Sequence, residues 1–149
     1  MKITEALAAE HTIFLTVFDE IEQVLPSLTT PSEIRTMARI VEALLQDHAE
    51  TETSLAYLAL DHALQHQGEL DRMHHDHHEI DGRLKKAQIA DTCAQARGLL
   101  KNALLASREH FSLEERCVFP LLEKALQPET LSELGEAWAK RHASRAVRA

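Results

Sequence analysis

The sequence predicts an all-α protein, an up-down antiparallel four-helix bundle followed by a short C-terminal fifth helix. Three observations predict it. Only 4 glycines and 4 prolines occur in 149 residues, and the good helix formers Ala, Leu, Glu, Gln, Lys and Arg dominate. Apolar residues recur at helical spacing in four long segments. Capping residues and breakers divide those segments, and short connections make successive helices antiparallel neighbours.

The first helix is expected from about Thr4 to Leu25, with Leu7, Phe14, Phe18, Ile21 and Leu25 on one stripe. Pro26 to Pro31 forms the loop. Thr30-Pro31-Ser32-Glu33 opens the second helix. Thr30 caps it, Pro31 takes the first helical position, where an N–H is not needed, and Glu33 closes a capping box. The second stripe is Ile34, Val41, Leu44, Leu45, Leu55 and Ala59. Gly68 marks a break, and the third helix follows over about Glu69 to Gln88, with Leu70, Met73, Ile80 and Leu84 inward. Thr92 with Gln95 offers another capping box, opening a fourth helix along Leu99, Ala103, Cys117 and Leu121. Pro120 interrupts that pattern, so a kink or an early end is expected near Phe119. A fifth helix starts at Pro128 and includes Leu131, Leu134 and Trp138, with a frayed tail after His142. No internal repeat or second domain is visible. The chain reads as one domain, with its core bundle over about 4–125 and a C-terminal helix and tail over 126–149.

The formal net charge of −8 argues against nucleic acid, whose phosphates need a basic face. Spread along the chain, the acidic excess reads as a solvated surface. Two cysteines, Cys93 and Cys117, are too few for a disulfide framework and are expected as buried free thiols in a reducing compartment. Glu5 and Glu10 interrupt the first apolar stretch, which argues against a signal peptide. No apolar run approaches the roughly 20 residues that cross a bilayer. The expected location is cytoplasmic, without a membrane partner, as a monomer or weak homo-oligomer.

Ten histidines ask for an explanation, since imidazole is the commonest side-chain metal ligand. At about 100° per residue, His11 falls inside the first stripe. His48 and Glu52 lie near the centre of the second, and His110 and Glu114 on the line of the fourth. A buried carboxylate without a partner is unfavourable by several kcal/mol, and a cation is the partner that reconciles these groups. His48-x-x-x-Glu52 and His110-x-x-x-Glu114 each place their members one turn apart on one face. A carboxylate from each helix can then bridge two metals while imidazoles fill the terminal positions.

Glu115 and Glu50 serve as controls, since the same phase turns both toward solvent. On the third helix His77 sits nearest the stripe, His74 at its edge, His78 farther out and His75 on the solvent side. His77 and His74 are therefore the expected ligands there, with His78 the alternative to His74. His62 and His66 read as solvated histidines at the end of the second helix, and His142 as a tail residue with no special role. Phe14, Phe18 and Phe111 read as packing that walls a pocket beside the site. Tyr57 falls off its stripe and is assigned nothing.

The residues Glu10-His11, His48-x-x-x-Glu52, Asp76-His77-x-x-Ile80-Asp81 and His110-x-x-x-Glu114-Glu115-x-x-Val118-Phe119-Pro120 together resemble the hemerythrin-like family, known by its His-His-Glu cation-binding domain. The resemblance covers about residues 4 to 125, and the fourth-helix motif is its most specific part. It implies an up-down bundle enclosing two non-haem iron ions, oxo- or hydroxo-bridged, and binding of a small diatomic ligand or peroxide. Iron is implied by the resemblance; the ligand types alone also admit manganese or zinc. The sequence departs from respiratory hemerythrins in two places. They pair the third-helix histidine with another four residues earlier, where this chain has Met73, so either His74 replaces it or one iron keeps an open position. Their last carboxylate is an aspartate five residues after the histidine, whereas Glu114 follows His110 by four. The resemblance thus implies a di-iron protein that binds or senses a small ligand such as dioxygen or nitric oxide. The alternative is a di-iron enzyme turning over peroxide or nitric oxide.

Overall fold

A computed structural model of the chain describes residues 1–64 and 70–146, with side chains as far as 144. The expected break at Gly68, the expected third-helix start at Glu69, and His66 lie outside the described residues. Among the described residues seven α-helical pieces occur: α1 (Ile3–Val24), α2 (Pro31–Glu52), α3 (Leu58–Ala63), α4 (Asp71–Ile89), α5 (Cys93–Leu113), α6 (Phe119–Ala125) and α7 (Pro128–Ala146). Two π turns, Thr53–Tyr57 and Glu114–Val118, join α2 to α3 and α5 to α6 into continuous rods. Among the described residues there is no strand, and no helix is long and apolar enough to cross a membrane.

The start of α2 follows from its sequence. Thr30 Oγ1 accepts from the Glu33 amide at 3.3 Å, and Glu33 Oε2 accepts from the Thr30 amide at 2.9 Å, the reciprocal bonds of a capping box. At the start of α5, Thr92 Oγ1 accepts from the Gln95 amide at 3.2 Å.

Two apolar cores fill the two ends of the bundle. One gathers Phe18, Ile21 and Leu25 of the α1 end, Ile34 and Ala38, Leu84 and Ala87, and Ala96 and Leu100. The other gathers Ile3 and Leu7, Tyr57 and Leu60, Leu70 and Met73, Phe119 and Leu122, and Leu131 of α7. Each rod therefore starts in one core and ends in the other, alternately, which is the expected up-down order. Each large side chain fully buried in these cores contributes roughly 1.5–3 kcal/mol. The stripes of α1 and α4 bury as expected.

The two rods with π turns differ from their straight-helix reading. Beyond the first turn, Ala56 and Leu60 are buried instead of Leu55 and Ala59, which are only half-buried. Beyond the second, Val118 and Leu122 are buried where Cys117 and Leu121 were expected. Each π turn, bonded i→i+5, accommodates one extra residue and moves the buried stripe on by one. Cys117 is consequently exposed and Cys93 half-buried, which corrects the expectation of buried thiols. Pro120 lies in the first turn of α6, where its missing N–H is harmless. The break it requires lies in the preceding turn. Leu44 is exposed, its place inward taken by Ala38 and Leu45.

Candidate metal centre

A polar layer separates the two cores. His11 falls between Leu7 and Phe14 on α1, and His48 and Glu52 between Leu45 and Ala56. His77 lies between Met73 and Ile80 on α4, while His110 and Glu114 lie between Leu104 and Val118. His11, Glu52 and Glu114 are 0% exposed and His48 and His110 2%; the His77 side chain is 16% exposed.

These six side chains form two clusters that share both carboxylates: His11, His48, Glu52 and Glu114, and His77, His110, Glu52 and Glu114. In the first, His11 Nε2 lies 3.2 Å from His48 Nε2 and 3.4 Å from Glu114 Oε2, and His48 Nε2 lies 3.9 Å from Glu52 Oε2. In the second, His77 Nε2 lies 2.8 Å from His110 Nε2 and 3.5 Å from Glu52 Oε2, with His110 Nε2 3.2 Å from Glu114 Oε1. Imidazole nitrogens held about 2.1 Å from a common cation at a right angle lie about 3 Å apart, so the spacing within each pair suits one cation.

The outward nitrogens identify the tautomers. His11 Nδ1 donates to Glu115 Oε1 at 2.9 Å and His48 Nδ1 to Glu10 Oε2 at 3.0 Å. His110 Nδ1 faces Asp76 Oδ2 at 3.6 Å. A carboxylate holding Nδ1–H leaves the Nε2 lone pair pointing inward, the arrangement found behind metal-bound histidines. Glu115 is thus exposed, at 44%, as expected of a control, yet touches the site from outside. Glu50 is exposed and pairs with Arg141 at 3.3 Å.

Burial and mutual proximity shift the ionisable groups of the layer strongly. Burial, then the neighbouring Glu114 carboxylate, pushes the Glu52 carboxyl well above its ordinary range. Burial pushes Glu114 the same way, but the adjoining His11 and His110 rings outweigh it and hold that carboxyl well below. His77 is pushed down to about 3 by burial and by the adjacent His110, which keeps its lone pair free. Burial opposes a proton on His110 too, but Glu114 and Asp76 outweigh it and raise its pKa.

A metal fits this layer on two observations. Both oxygens of Glu52 and Oε2 of Glu114 are buried without a hydrogen bond, although buried acceptors are nearly always satisfied. The donor set of neutral imidazoles and carboxylates is that of transition-metal sites.

The structure does not bring His74 into either cluster. It is half-buried, with its ring edge-on to Tyr57 at 5.4 Å, and His78 is exposed. His62 is exposed as expected. Sequence reasoning missed Tyr57, which is 1% exposed, donates its hydroxyl to Glu114 Oε1 and stacks on His77 with centroids 5.8 Å apart. Its only signal was aromatic content five residues after Glu52, a spacing that shares a face only through a π turn. Sequence reasoning also missed His142, whose Nε2 lies 3.0 Å from Glu10 Oε1.

Phe111 stacks on His11 at 4.0 Å and Phe14 meets His48 edge-on at 5.2 Å, so aromatic rings do wall the layer. On its other side a cleft of about 720 Å³ runs between α2 and α4. Leu45, Ile80, Leu84 and Phe111 line it, and His48, His77 and His110 border it.

The profile of the hemerythrin HHE cation-binding domain matches residues 2–122. No curated protein and no solved structure matches the chain.

Proposed function

The chain belongs to the hemerythrin HHE cation-binding domain family, and from that premise we propose that it is a non-haem di-iron protein binding or sensing a small ligand such as dioxygen or nitric oxide. The observation that carries the reading is the pair of clusters, each with two imidazoles, sharing two buried carboxylates. His11 and His48 would hold one iron, His77 and His110 the other, with Glu52 and Glu114 between them. His74 has no place in this set.

Bound there, iron would supply redox-active Lewis acidity. The chain does the rest. Four neutral imidazoles leave the centre less negative than carboxylates alone would, which favours the reduced pair and reversible binding over mineral storage. The cleft along α2 and α4 gives a small molecule a way in beside His77, and its Leu, Ile and Phe walls keep bulk water sparse. We take residues 1–149 as one domain, α7 included.

One observation favours a second reading, turnover of peroxide or nitric oxide. The Tyr57 hydroxyl sits beside Glu114, a buried hydrogen-bond donor that could orient a bound substrate, while burial and the two carboxylates raise its pKa and hold its proton in place. The two readings separate in one experiment. The metal-free chain is loaded with ferrous iron without air, exposed to oxygen and then evacuated. Ligand binding predicts an absorption band that appears and then reverses, with both irons retained. Sustained consumption of added peroxide supports the enzyme instead. A chain that takes up no iron overturns both.

A further inference from the structure

We infer that α7 is part of the metal centre: His142, acting through Glu10, is a positioning residue that orients His48 toward the His11–His48 cation position. The inference rests on the reading of two cation positions above, and α7 lies beyond the residues 2–122 that match the family.

Glu10 is the hinge of the argument. Its side chain is 12% exposed, and each of its oxygens meets a different ring. Oε2 accepts from His48 Nδ1 at 3.0 Å, and Oε1 lies 3.0 Å from His142 Nε2. His142 Nδ1 in turn faces the Trp138 carbonyl at 2.9 Å. The His142 ring is thus held from both sides, by the Glu10 carboxylate and by a carbonyl of its own helix. With both oxygens engaged, Glu10 cannot swing away, and His48 keeps Nδ1 outward and its Nε2 lone pair inward.

The helix that carries His142 is itself fixed. Leu131 is buried in the core it shares with Leu7 and Tyr57. Gly135 lies against the Met1 carbonyl, where any Cβ would collide. The Trp138 ring lies 4.3 Å from the His142 ring, centroid to centroid. Arg141 donates to Ser54 Oγ at 2.9 Å and reaches Glu50 at 3.3 Å, gripping the chain on either side of Glu52. The support is one-sided. The outer contact of the other cluster, Asp76 beside His110, comes from α4.

That asymmetry gives the test. The metal-free chain is titrated anaerobically with ferrous iron, in wild type, His142→Ala and His142→Gln. His142→Ala is expected to weaken one binding step about tenfold, the low end of the 10–100-fold range for outer partners of metal-bound histidines, and to leave the other step unchanged. His142→Gln, whose amide N–H reaches toward Glu10, recovers most of the loss. In the metal-free chain labelled with ¹⁵N, the His48 Nδ1–H resonance is expected in wild type and His142→Gln and lost in His142→Ala. Equal weakening of both steps, or an unaltered titration and resonance in His142→Ala, overturns the inference. A wild type that binds fewer than two ions overturns the two-cation reading instead, and the resonance in the metal-free chain still decides whether His142 orients His48.

Discussion

The hydroxyl of Tyr57 donates to Oε1 of Glu114, so the last residue of one π turn is bonded to the first residue of the other. Each turn adjoins one of the two shared carboxylates, Glu52 ending α2 and Glu114 beginning the second turn. Residues five apart share a face across such a turn, which puts Tyr57 under Glu52 and Phe119 under Glu114.

Tyr57→Phe removes that donor while keeping the ring that stacks on His77. A buried carboxylate oxygen then loses a hydrogen bond, and the metal-free chain is expected to lose about 1–3 kcal/mol of stability, measured by urea unfolding. Iron uptake is expected to persist, because no member of either cluster changes. An unmoved urea midpoint would show that the hydroxyl bond contributes nothing. Loss of iron would show that Tyr57 belongs among the groups holding it.

Glu114, Glu115 and Glu50 should separate into three grades. Glu114→Ala removes a carboxylate common to both clusters and is expected to abolish uptake of both irons. Glu115→Ala leaves His11 Nδ1 without its 2.9 Å acceptor, an outer contact whose loss weakens affinity roughly 10–100-fold without abolishing it. Glu50→Ala is expected to leave iron content unchanged. Iron per chain after dialysis against a weak chelator ranks the three, and a Glu115 variant as depleted as the Glu114 variant would overturn the placement.

Much of this was legible in the sequence because α1 and α4 are unbroken α-helices near the site, so a uniform step of about 100° turns His11 and His77 toward the layer in which they cluster. His48, Glu52, His110 and Glu114 were legible for the same reason, since each precedes or opens its π turn. Everything beyond those turns slipped by one residue. Leu55, Ala59, Cys117 and Leu121 looked inward, while Tyr57 looked irrelevant. No residue in Thr53–Tyr57 signals a π turn; for Glu114–Val118 the hint of a break is Pro120, just past the turn in α6. His142 was illegible for a different reason: its partner Glu10 lies 132 positions away, at a distance that periodicity does not report.

Glu33 gives a pH dependence whose sign is fixed. Hydrogen bonds from the Thr30 hydroxyl, first, and then the Thr30 amide hold its carboxyl below its ordinary value of 4.5 in the folded chain. A carboxyl depressed on folding stabilises the fold fully above its unfolded value, and that contribution drains away as pH falls through the folded value. Thermal midpoints of wild type and Glu33→Gln are therefore expected to differ most at pH 6 and to converge toward pH 3. Thr30→Ala, which removes the cap, is expected to lower stability by about 1 kcal/mol. A gap between wild type and Glu33→Gln that widens on acidification contradicts the assignment.

The π turn itself can be deleted. Excising Ser54, an exposed residue within Thr53–Tyr57, leaves the tyrosine four residues after Glu52, on the same face of an ordinary α-helix. Both flanking stripes keep their phase, so the fold, the tyrosine's bond to Glu114 and iron uptake are expected to survive, with the Arg141 contact to Ser54 and the Ser54 bond to the Thr51 carbonyl lost. Excising Leu44, exposed but inside regular α2, has the opposite consequence. One missing residue there rotates the segments on either side by about 100° relative to each other, so His48 and Glu52 cannot face the layer while Ile34, Ala38 and Val41 face the core. Iron content and circular dichroism of the two deletions decide the matter. If excising Ser54 is as damaging as excising Leu44, the turn is not an inserted residue, and the one-residue shift of the buried stripe needs another cause.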